Sequence, residues 1–106
     1  MLSATDLLAG AETTFELTIP PHILQIPDAT DKTAVVRIRP LSIGTFSLIL
    51  RATKNDPSLL PLFMLKEALV EPTLTLEQVK KLPIGLVEFM LENVREVSGL
   101  GKKKSS

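Results

Sequence analysis

Gly99-Leu100-Gly101-Lys102, near the end of the chain, contains the residue types of a phosphate-binding loop. Such a loop needs a glycine, four residues, then Gly-Lys-Ser/Thr, because successive backbone N–H groups must curl round the phosphates while the lysine reaches over them. If Gly101-Lys102 closed the motif, its first glycine would fall at position 96, which is Glu96. The segment also follows a helical pattern where the loop should follow a strand, and only a few residues come after it. Glycine here reads as a helix C-cap in the left-handed region.

The remaining chemistry is sparse. His22 is the single histidine and there is no cysteine, which removes thiolate zinc sites, thiol catalysis and disulfides together. A zinc site would have to be built from carboxylates, and no spacing gathers them. A hydrolytic triad has no base apart from His22, and nothing marks one serine as its nucleophile. Two acids that meet in space can still act as a glycosidase-like pair, which spacing alone does not exclude. With one histidine and four aromatics, the expectation is no enzyme, no metal and no cofactor, and function through binding surfaces.

The elements that present those surfaces change period along the chain. Residues 1–13 hold a weak helical turn at best, with Ser3 or Thr5 as caps before Leu7-Leu8 and Gly10 interrupting, and read as a flexible segment. TFELTIPP alternates, with Phe15, Leu17 and Ile19 on one face, and Pro20-Pro21 stops the strand because neither proline can donate to a ladder. HILQIP leads into the polar turn DATDK, and AVVRIRPL alternates again with Val36 and Ile38 on one face. Two such runs form an antiparallel pair, with 22–26 as a possible short third strand and Glu16 and Thr18 opposite Arg37 and Arg39.

After Pro40 the period is helical. Ser42 serves as N-cap to a helix bearing Ile43, Phe46, Ile49 and Leu50, with Arg51 and Lys54 near its C-terminus where the dipole favours cations. Ser58 as the next N-cap puts Pro61 at the third helical position, where its missing N–H costs nothing. From Leu59 to Val70 the only polar side chains are Lys66 and Glu67. A helix that is apolar almost all round must be buried on more than one side, as a central core helix or partly against another molecule. Leu62, Phe63, Leu65 and Leu69 are the candidate partner-binding anchors, some of them shared with the core. Thr75 and Gln78 form a capping-box pattern that opens a short helix ending at Pro83. A last helix over about 84–98 shows an apolar face of Val87, Met90, Leu91, Val94 and Val97 and an acidic ridge of Glu88, Glu92 and Glu96.

Composition bounds the class. At 106 residues the chain is one domain, and its mean hydropathy of +0.25 is high for so small a surface-rich protein, which favours self-association or burial against a partner. No run of about 18 apolar residues spans a membrane, and the start lacks the basic flank and apolar run of a signal peptide. Residues 1–33 carry five acids and one base, and residues 34–55 four bases and no acid, so these segments attract each other while the net charge is zero. Nucleic-acid binding lacks its basic excess and stacking aromatics.

VVRIRPLS followed by a helix, then an apolar helix ending in VEPTLTLEQVKKLPIGLVEFMLENVREVSGL, resembles the tail assembly chaperones of tailed bacteriophages and prophages. The cues are the strand with Arg-Pro-Leu, Glu-Pro-x-Leu-Thr at 71–75, Leu-Pro at 82–83 and the closing Ser98-Gly99-Leu100, covering about residues 15–100. The resemblance implies a non-enzymatic role in the host bacterial cytoplasm: such chaperones coat the long, helical, hydrophobic tape measure protein before the tail tube forms round it, and leave before the particle is finished. It also implies a longer product made by frameshifting near the end of the short reading frame, where a slippery A-rich stretch would encode Gly101-Lys102-Lys103-Lys104. The alternative from another class is a structural or adaptor subunit that stays in a tail or baseplate-like assembly. The expected fold is α+β: residues 14–100 as one domain, a small antiparallel unit over about 14–40 packed on three or four helices over about 42–98, with 101–106 a disordered basic tail.

Overall fold

The computed structural model describes residues 1–24 and 34–100, so the DATDK turn, the second half of HILQIP and the tail at 101–106 lie outside the described residues. The fold is α+β, as expected. Phe15–Thr18 (β1), Val35–Ile38 (β2) and Leu69–Glu71 (β3) make a three-stranded antiparallel sheet in the order β1-β2-β3. Helices Ala4–Ala9 (α1), Pro21–Leu24 (α2), Ile43–Ala52 (α3), Leu60–Ala68 (α4), Leu76–Lys80 (α5) and Ile84–Val97 (α6) complete it, with 3-10 turns at Gly10–Glu12 and Pro57–Leu59.

The alternation in the first two strands sets their register. Phe15 lies across from Ile38, Glu16 from Arg37 and Leu17 from Val36, so the apolar sets share one face and Ile19 and Ile38 reach the core. Arg37 joins all three strands, its guanidinium donating to Glu16 at 3.3 Å and to Glu71 at 3.4 Å. These are exposed pairs, worth about 0–1 kcal/mol each. The expected Thr18–Arg39 opposition does not occur: in an antiparallel pair an advance on one strand is a retreat on the other, and Thr18 faces Val35. Arg39 instead donates from Nε to the carbonyl of Glu67 at 3.2 Å.

The third strand is also placed differently from the expectation at 22–26. Residues 21–24 form a helical turn, and the strand that pairs with β2 is Leu69–Glu71, one residue past α4. Leu69 and Glu71 pair with the adjacent Ile38 and Arg37, which leaves Val70 as an extra residue on the β3 side.

α4 is the central helix. Met64, Leu65, Ala68 and the following Leu69 are buried, and no residue from Leu59 to Val70 is exposed. The helix packs against α3, α5 and α6, and Ile49, Val79, Leu86, Met90, Leu91 and Val94 close the core round it. Ser58 does not cap it: that hydroxyl bonds the Asp56 carboxylate at 2.6 Å, the N-cap is Leu59, and Pro61 sits in the first turn, where its lack of an N–H is harmless. Ser42 caps α3 as expected, accepting from the Thr45 N–H at 3.1 Å, but of the four apolar positions read for that helix only Ile49 is buried and Phe46 half-buried, while Ile43 and Leu50 stand exposed beside Leu48. α6 ends as the glycine reading requires. Gly99 has φ +82, its N–H bonds Glu96 O, and Leu100 N–H bonds Arg95 O, a Schellman ending. The Ser98 hydroxyl oxygen accepts from the Leu41 N–H at 2.8 Å and ties that end to the β2–α3 link.

At the other end of the chain, α1 is better formed than the weak turn expected. Ser3 and Asp6 make a reciprocal capping box at 3.1 and 3.0 Å, and these bonds, the one from the Ser3 backbone foremost, hold the Asp6 carboxyl below its ordinary 3.8. A depressed carboxylate pKa stabilises above the ordinary value and loses that contribution as pH falls through the folded value. Acidification below 3.8 is therefore expected to fray α1, read as movement of the Leu7 and Leu8 amide resonances. Asp6→Asn is expected to abolish that acid transition, and an unchanged one would dismiss the capping account.

Candidate functional site: an apolar groove between α4, α5 and α6

The groove follows from three short-range decisions. α4 begins at Leu60 immediately after the 3-10 turn, with Pro61 in its first turn, and Leu62 lies half-buried at the groove while Leu65 is fully buried in the core. The Thr75–Gln78 capping box, at 3.2 and 2.9 Å, starts α5 and commits Val79 to full burial. Pro83 then serves as N-cap of α6, so α5 and α6 meet at a corner with Leu82 before it and Ile84 after it.

These pieces enclose an open cavity of about 680 Å³. Val79 and Leu91 form its floor, Pro61, Leu62, Leu82 and Val87 its walls, and Ile84 its lip. Ile84 is 77% exposed, an unusual state for a large aliphatic side chain at the edge of an apolar hollow. The rim is polar, with Lys80, Glu88, Glu92 and Arg95, and Lys80 pairs with Glu77 at 3.6 Å. The volume is that of an ordinary ligand pocket, and its lining is mainly apolar, with the Ser58 hydroxyl, bonded to the Asp56 carboxylate at 2.6 Å, at its edge.

The four anchors read from the sequence separate here. Leu62 lines the groove. Phe63 is half-buried and packs on the core. Leu65 at 0% and Leu69 at 6% exposure are core residues. The acidic ridge also divides: Glu88 and Glu92 border the groove, whereas Glu96 is not part of it. Ile84 and Leu82 escaped the sequence reading, although aliphatic residues on both sides of Pro83 mark a corner where one of them must stay uncovered.

Among the described residues no group of three or more His, Cys, Asp or Glu is placed to hold a metal ion, and His22 is exposed in α2. No helix among them is long and apolar enough to cross a membrane. What the arrangement can do is receive apolar side chains, most simply the i, i+3, i+4 stripe of an amphipathic helix laid along α6. No protein-family model, curated protein or solved structure matches the chain.

Proposed function

We propose that this chain is a non-enzymatic tail assembly chaperone that holds the hydrophobic, helical tape measure protein soluble in the bacterial host cytoplasm, with the α4–α5–α6 groove as its client-binding surface. The observation that carries the reading is the groove itself: an apolar hollow with an uncovered isoleucine at its lip in a small chain of high mean hydropathy. The segments that carry the family resemblance flank it, Glu71 to Thr75 leading into α5 and Leu82-Pro83 forming the corner before α6. An apolar helical stripe entering the groove removes from water the surface that otherwise drives the client to aggregate.

Co-expression with the large protein encoded just downstream tests this. The client is expected to move from the pellet to the soluble fraction and to co-purify with the chain, and the complex is expected to survive raised salt because apolar contact, unlike docking on Glu88, Glu92 and Glu96, is not screened. A client equally insoluble with and without the chain would end the chaperone reading in favour of a structural subunit. That alternative places the chain in purified finished particles, from which a chaperone is missing.

A further inference from the structure

We infer that α1 of one copy of this chain docks in the α4–α5–α6 groove of a second copy. This goes beyond the chaperone reading and is tested on the chain alone, so its failure leaves the client experiment untouched.

Among the described residues, α1 has no cover and the α4–α5–α6 groove no occupant. α1 buries none of its residues, and Leu7 and Leu8 are 69% and 65% exposed. Ala4, Leu7 and Leu8 fall at i, i+3 and i+4, the spacing of one helical face. A six-residue helix is far below the roughly 12–15 residues at which isolated helices become even marginal in water. Its capping box therefore shapes a helix that packing against a second surface must sustain.

Length fits the groove. The helical segment from Ala4 to Glu12 is about 15 Å long at α-helical and 3-10 rises, and the groove-facing part of α6, Ile84 to Arg95, is about 16 Å long. Residues 1–13 carry the acidic side chains Asp6 and Glu12, and the groove rim carries Arg95 and Lys80, the latter already paired with Glu77 at 3.6 Å. Glu88 and Glu92 stand on the same rim, so its acids match its bases in number and the apolar face of α1, not charge, is what the groove receives.

Connectivity favours exchange over self-docking. Thr13 and Thr14 alone join the helical segment to β1, so Glu12 and Phe15 are at most about 10 Å apart at full stretch. Phe15 lies across from Ile38, which pairs with Leu69 just past the C-terminal end of α4, so two strand spacings, about 10 Å, separate Phe15 from that helix before the further run of about 10 Å along it to the groove mouth at Pro61 and Leu62. Exchange of an identical element between copies is a low-cost route to a dimer.

The chain has no cysteine, which makes cross-linking decisive. Full-length Leu8→Cys and Ile84→Cys proteins are mixed and mildly oxidised, then run on a non-reducing gel. A band of twice the chain mass, well above that from either protein alone, is expected; its absence overturns the inference. In the double variant a covalent dimer supports exchange, and a compact, fast-migrating monomer overturns it by placing the arm in its own groove. Sedimentation equilibrium gives an independent reading: the wild-type chain is expected to exceed monomer mass and Leu8→Asp, with a circular dichroism spectrum that loses no more helix than the six residues of α1, to fall to it. A monomeric wild-type chain also overturns the proposal.

Discussion

Leu65→Ala is expected to cost about 2–5 kcal/mol, a large part of the roughly 5–15 kcal/mol that holds a domain together. Leu65 is fully buried in the middle of α4, the helix that packs against α3, α5 and α6. Removing its isobutyl group leaves a cavity that three rigid neighbours cannot all close, so the lost transfer energy and the cavity term add. Leu62→Ala, one turn earlier and half-buried at the groove, is the matched control and should cost distinctly less. Urea unfolding monitored by circular dichroism separates the two through their midpoints at constant slope. If the two substitutions shift the midpoint equally, the division of α4 into a core side and a groove side is wrong.

Ile84→Asp is expected to cut recovery of soluble client at least tenfold while leaving the fold within about 0.5 kcal/mol of wild type. The side chain is 77% exposed, so a carboxylate there stays hydrated in the free chain. When an apolar client stripe covers the lip, that carboxylate loses its water without gaining a partner, a penalty that falls on the complex alone. Leu48→Asp is the counterpart on another uncovered apolar surface, on α3, and is expected to leave client recovery unchanged. Client retained by a folded Ile84→Asp chain and lost with Leu48→Asp would move the binding surface to α3. Leu8→Asp should break self-association without lowering client recovery, which keeps the two uses of the groove experimentally apart.

Features governed by near neighbours in sequence were legible without the structure. Alternation in Phe15–Ile19 and Val36–Ile38 identified two strands and the Glu16–Arg37 pair, because the two-residue period of a strand assigns each side chain to a face. Ser42, the Thr75–Gln78 box and glycine after Ser98 marked helix ends, because a cap satisfies backbone groups within a few residues of itself. The stretch Leu59–Val70 carried no such phase. With apolar residues on every side, nothing local distinguishes Leu62 from Leu65, and packing of α3, α5 and α6 round one helix made the first a groove wall and the second a core residue. The end of the same stretch became β3 because Ile38 and Arg37 of β2 offered backbone partners to Leu69 and Glu71, residues more than thirty positions away. The groove is likewise a product of distance in sequence. Pro61, Val79 and Ile84 each obey local rules, but the hollow between them exists only where α4, α5 and α6 converge, and the way three packed helices leave a space is decided by their mutual packing and by no one of them alone.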